Sequence, residues 1–107
     1  MNDVEDVVVA LADPTRRRVL ERLSGHGEAT ATMLARELPI SRQAVVQHLA
    51  VLDAVGLVSA HRRGRERNFH VRAQRLREAA AWMERLASQW DERLATIKRL
   101  SEGDINA

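Results

Sequence analysis

The alternation of apolar and polar positions divides the chain into five helical stretches and one hairpin. Val4, Val7, Val8 and Leu11 recur at helical spacing, which predicts a short first helix. Asp13-Pro14 marks the next helix start, because Asp accepts from the free amides of a first turn and Pro at the first helical position surrenders an amide that has no partner. This second helix runs to about Ser24 with Val19, Leu20 and Leu23 as its apolar stripe. Gly25-His26-Gly27 ends it, glycine being the residue most easily placed left-handed after a helix. Thr30 caps a third helix through about Leu38, with Met33, Leu34 and Leu38 expected inward, and Pro39 stops it. Ser41 caps a fourth helix. There Val45, Leu49 and Leu52 lie on one side, while Arg42, Gln43, Val46, Gln47 and Ala50 lie on another, mostly polar side that the core does not need.

The third and fourth stretches, joined by the tight turn Pro39-Ile40, form a helix-turn-helix, whose second helix presents its N-terminal residues to the DNA major groove. Gly56 ends that helix. Leu57–Arg62 and Arg67–Val71 then read as two strands around Arg63–Glu66, where Gly64 permits a sharp reversal. A helix-turn-helix followed by an arginine-tipped hairpin is a winged helix. From about Gln74 to Glu102 a long helix carries Leu76, Ala80, Met83, Ala87, Trp90, Leu94 and Ile97 at alternating spacings of four and three, a coiled-coil seam flanked by Trp82 and Leu86. So small a domain cannot cover that surface, so pairing with a second copy is expected. The fold class is mainly α with a small β-hairpin: a winged helix-turn-helix of five helices and a two-stranded wing, one domain over 1–107. Its dimer interface is expected to use Val4 and Val8 of the first helix and the seam residues of the helix at 74–101, with a frayed tail from about Ser101.

Composition narrows the chemistry. Hydrophobic residues make up 45% of the 107, yet there are one Phe, two Trp and no Tyr, so the core is aliphatic and helix-favouring. Without Cys there is no disulfide, no thiolate metal site and no cysteine nucleophile. The longest apolar run, Val7 to Ala12, falls far short of the roughly 20 residues that span a bilayer, and the acidic N-terminus lacks the basic region of a signal peptide. A soluble, unprocessed, cytoplasmic protein with no membrane partner is expected. No glycine-rich nucleophile turn, phosphate loop or paired-carboxylate pocket is present, so an enzyme is not expected, nor a cofactor.

Charge is uneven beneath a net +2. Residues 1–13 carry four acids and no base, whereas residues 58–77 carry seven Arg against Glu66 alone. Sixteen of the seventeen basic residues are Arg, the side chain that best matches phosphate and guanine geometry, although GC-rich coding produces the same bias. The basic block coincides with the hairpin. Arg62, Arg63, Arg65 and Arg67 are therefore assigned to DNA phosphate and minor-groove contact over the alternative of a solvated charged hairpin. Ser41, Arg42, Gln43, Val46 and Gln47 are assigned to base contact from the fourth helix; a cap plus an exposed polar face is the alternative. His48, between the two faces, is expected to be structural, and His26, His61 and His70 show no metal-ligand spacing. Arg16 and Arg17 are left between phosphate contact and pairing with the acidic first helix of this or the other subunit. Trp82, Met83 and Trp90 are read as dimer core rather than a ligand cage.

Three stretches carry a resemblance to the ArsR-type (arsenical-resistance repressor) winged-helix transcriptional regulators. They are Ala10 to Arg17, then Ser41 to Leu49 continuing through Leu52 and Gly56-Leu57-Val58, then Gly64-Arg65 leading to Phe69. The C-terminal stretch with Trp82, Arg85-Leu86, Trp90 and Arg93-Leu94 resembles the branch without metal ligands, in which the first and last helices form the dimer interface. Metal-sensing members place a Cys-x-Cys in the third helix. The aligned positions here are Thr30 and Thr32, and no His follows His70, so no metal site is expected. Val46 stands where the family usually has a small hydroxyl residue and suits a thymine methyl; Met33 stands where an acid would complete a capping box. The resemblance implies a homodimeric repressor on a palindromic operator. A winged helix used only for protein contact is the rival reading, and the residues name no effector.

Overall fold

Side chains standing in for a missing first turn fix where the helices begin. The computed structural model describes residues 3–103. Helix α1 (Val4–Ala10) opens on a reciprocal box: Asp3 accepts from the Asp6 amide at 3.0 Å, and the Asp6 carboxylate accepts from the Asp3 amide at 3.4 Å. At the start of α2 (Pro14–His26), Asp13 Oδ1 accepts from the amides of Thr15 at 2.8 Å and Arg16 at 3.2 Å; Gly27 ends the helix with φ +78°. Thr30 and Ser41 cap α3 (Ala31–Glu37) and α4 (Arg42–Ala54), their hydroxyls accepting from the amides of Met33 at 3.2 Å and Ala44 at 3.0 Å. The last helix, α5 (Ala73–Ser101), has no side-chain cap.

The hairpin of β2 (Val58–Arg63) and β3 (Glu66–Val71) is one residue longer at the tip on each strand than the sequence predicts. Arg63 pairs with Glu66 and leaves Gly64-Arg65 as a two-residue loop, in which only Gly64 has a positive φ, as a type II′ turn requires. The expected two-stranded wing is part of a three-stranded antiparallel sheet of order β1-β3-β2, because β1 (Ala29–Thr30) joins it through Ala29 opposite Phe69 and Thr30 opposite Asn68. This short strand occupies the free edge of β3, whose amides and carbonyls would otherwise lack partners.

One aliphatic cluster holds these elements together. Val19 and Leu23 of α2, Leu34 of α3, Val45, Leu49 and Leu52 of α4 and Leu57 are inaccessible to solvent, with Phe69 at the sheet face. Met33 is not inward as expected: Ala31 and Leu34 take the buried stripe of α3 and leave Met33 exposed on the side facing the hairpin. On α5 only Ala79 is buried, in the cluster that also holds Val7 of α1. Of the expected dimer residues, Val4, Val8 and Leu76 are half-buried, while Ala80, Met83, Ala87, Trp90, Leu94 and Ile97 are exposed. The distal part of α5 projects from the body, so the molecule measures 73 × 26 × 22 Å. Its radius of gyration is 19.8 Å, against about 13 Å for a compact domain of this length. No helix among the described residues is long and apolar enough to cross a membrane. The expected frayed tail falls largely on 104–107, outside the described residues.

Candidate nucleic-acid interface

An open cleft of about 620 Å³ lies between the wing and the helix-turn-helix. Thr32, Met33 and Arg36 of α3 form one wall, Arg42 and Val46 of α4 the next, and Arg65, Glu66 and Arg67 of the hairpin the third. Four arginines and one glutamate thus line the cleft. Gln43 and Gln47 are exposed on α4, one helical turn apart and beside Val46. Ser41 stands at the mouth of the helix with its hydroxyl engaged by the Ala44 amide.

The hairpin register separates the wing arginines. Residues directly opposite one another share a sheet face, so Arg62 and Arg67 lie on one side and Arg63 and Glu66 on the other. Arg67 sits 5.3 Å over the Phe69 ring and 3.8 Å from Asp53 of α4. Arg63 turns the other way, to within 3.5 Å of Glu28, whose carboxylate also lies 2.8 Å from His61 Nε2. The structure therefore does not bring Arg63 to the cleft with Arg65 and Arg67. Among the described residues Arg62 and Arg65 form no ion pair, which leaves their charge uncompensated at the tip.

Arg42 donates from Nε to the Thr32 hydroxyl at 3.0 Å, tying α4 to α3. Thr32, Met33 and Arg36 are cleft residues that the sequence reading did not assign; the available signal was their spacing on the face of α3 opposite Ala31 and Leu34. Among the described residues neither Arg16 nor Arg17 pairs with an acidic side chain of α1 within the protomer. Arg16 donates to the Ala10 carbonyl at 3.0 Å and Arg17 to the Leu11 carbonyl at 2.6 Å, supplying partners that the end of α1 lacks. The Arg16 backbone amide holds the Asp13 carboxyl below its ordinary value, against a smaller opposing effect of desolvation; the Thr15 amide and the charges of Arg16 and His48 add to the lowering. His48 is half-buried, His26 pairs with Glu37, and the His61 and His70 rings lie 6.0 Å apart. Among the described residues no group of three or more His, Asp or Glu is placed to hold a metal ion.

The model of a helix-turn-helix domain family matches residues 11–59. The HTH-type transcriptional regulator Rv2034 of Mycobacterium tuberculosis is 40% identical over 97 residues, covering 89% of this chain and 87% of that protein. The transcriptional repressor SdpR of Bacillus subtilis is 32% identical over 80 residues, covering 75% and 88%. Among solved structures, an ArsR-like transcriptional regulator from Rhodococcus sp. RHA1 superimposes with a TM-score of 0.82 at 39% identity, over 94% of this chain and 93% of that one.

Proposed function

Since the chain belongs to the ArsR-type helix-turn-helix transcriptional regulators and is thus a DNA-binding regulator, we propose that it is a cytoplasmic homodimeric repressor. The two copies of α4 enter successive major grooves of a palindromic operator, with half-sites about one helical turn apart. Each wing braces the flank, Arg62, Arg65 and Arg67 meeting phosphates and the minor groove, while Ser41, Arg42, Gln43, Val46 and Gln47 meet base edges. Arg63 acts at the outer edge of the wing. Repression follows from occupying a promoter; that SdpR of Bacillus subtilis is a repressor supports this direction. Relatives that are regulators support a non-enzymatic role.

The observation that carries the reading is the cleft, lined by four arginines directly beside the N-terminal turn of α4, of which Arg67 is within ion-pair reach of Asp53. The dimer rests on α5. Met83, Leu86, Trp90, Leu94 and Ile97 are about half exposed along a helix that leaves the body, and a second α5 packed against it, with α1 alongside, would cover them. An effector would switch such a dimer only by binding two inter-protomer arrangements with different affinities.

The test is fluorescence anisotropy of the purified protein on its own upstream DNA and on random duplex at two salt concentrations, with the mass in solution measured alongside. Tighter binding of the upstream fragment by a dimer, falling steeply with salt, is the expected result. Absence of binding to either duplex would replace this reading with that of a protein-contact module.

A further inference from the structure

Arg42 is the first residue of α4, yet its guanidinium is tethered from the neighbouring helix, Nε donating to the Thr32 hydroxyl at 3.0 Å. Nε is the nitrogen on the stem side of the group. Its use leaves the two terminal nitrogens as a forward-facing fork and holds the plane of that fork. A forward fork of fixed plane matches O6 and N7 on the major-groove edge of guanine; a phosphate also takes such a fork, but its oxygens accept from many directions and do not need the plane held.

The cleft wall beside this fork is apolar. Met33 on α3 and Val46 on α4 line the same cleft and are 37% and 41% exposed. Exposed apolar side chains among arginines add nothing to a phosphate site. On a major-groove edge the apolar feature they match is the 5-methyl group of thymine.

We infer that α3 reads bases together with α4: Thr32 is a positioning residue that aims Arg42 at a guanine, and Met33 with Val46 seats the methyl of a nearby thymine. This extends the DNA-binding reading and rests on it. The first helix of a helix-turn-helix ordinarily crosses the sugar-phosphate backbone, so a base-reading role for α3 is specific to these side chains.

The experiment starts with selection of bound duplexes from a random pool by the wild-type full chain. The best duplex is then remade with 7-deazaguanine, which lacks the N7 acceptor, or with uracil, which lacks the methyl. Wild-type affinity is expected to drop about fivefold or more with the first and about fourfold with the second. Thr32→Val is expected to lose about 2- to 10-fold of the preference for that guanine over adenine, weakening the selected duplex more than random duplex, because the aim of Arg42 is relaxed while its charge remains. Thr32→Ser keeps the hydroxyl and the preference. Paired Met33→Ala and Val46→Ala substitutions abolish the difference between thymine and uracil. Equal weakening of selected and random DNA by Thr32→Val, or no effect of uracil on the wild type, overturns the inference while leaving DNA binding intact. If the wild type selects no duplex, both readings fall together.

Discussion

Trp90→Ala separates assembly from folding in one substitution. Trp90 is 55% exposed in the protomer. Of a Trp surface of about 250 Å², roughly 140 Å² is thus left to a partner, an upper limit of about 3.5 kcal/mol per copy at about 25 cal/mol per Å². Association recovers only part of such transfer energy, because freedom of motion and side-chain order are lost on binding. About 1.5 kcal/mol per protomer is a reasonable share, hence about 3 kcal/mol per two-fold dimer and a rise of roughly 100-fold in the dimer dissociation constant. Equilibrium sedimentation across a concentration series measures this directly. Thermal unfolding followed by circular dichroism at a concentration where both proteins are monomeric should show no loss, since Ala is the better helix former and Trp90 contributes nothing to the core. A variant that dimerises as tightly as the wild type would refute the assignment of this face to the partner helix.

Three further outcomes follow from the same geometry. Arg65→Ala should weaken specific and random DNA about equally and reduce the salt slope by about one, whereas Gln43→Ala should cost about 1–3 kcal/mol of sequence preference; anisotropy at several salt concentrations distinguishes them. Leu49→Ala removes a fully buried side chain from α4 and should lower unfolding stability by about 2–5 kcal/mol in urea titration, with an unchanged slope. The Asp13 carboxyl is lowered in the folded state, so its contribution is fully present above its ordinary value near 3.8 and is lost as pH falls through the lower folded value. Asp13→Ala should therefore reduce the urea midpoint at pH 7 and differ little from the wild type in strong acid; an equal deficit at both would contradict this linkage.

Short-range chemistry was the legible part of this chain. Asp13, Thr30 and Ser41 cap their helices as the sequence predicts, because a cap needs only amides two or three residues away. The wing was legible as a hairpin, but its strand β1 was not: two residues carry no periodicity, and Ala29-Thr30 becomes a strand only because β3 offers an edge. The separation of Arg63 from Arg67 depends on a one-residue choice of where the turn falls. The roles of Arg16 and Arg17 were hidden because their partners are backbone carbonyls, which every sequence contains. The spacing of Thr32 and Arg36 puts them on the face of α3 opposite Ala31 and Leu34, but what that face meets is set by the packing of α3 against α4 and the sheet, a long-range relation.

The wing is stitched to the body at its root on both sides. Thr30, the cap of α3, is also a strand residue opposite Asn68, and Glu28 holds His61 and Arg63 from the corner where α2 ends. A hairpin so anchored travels with α2 and α3 as one solid jaw, to which α1 and the root of α5 are joined through Val7 and Ala79 of the same core. In the proposed dimer, two such chains joined along α5 would make a caliper, the gap between its jaws set by the angle at the shared helices and not by bending of the ribbon. In that proposed dimer, one rotation would link a bound ligand to operator spacing, readable as a single distance between two Gly64 residues across the pair.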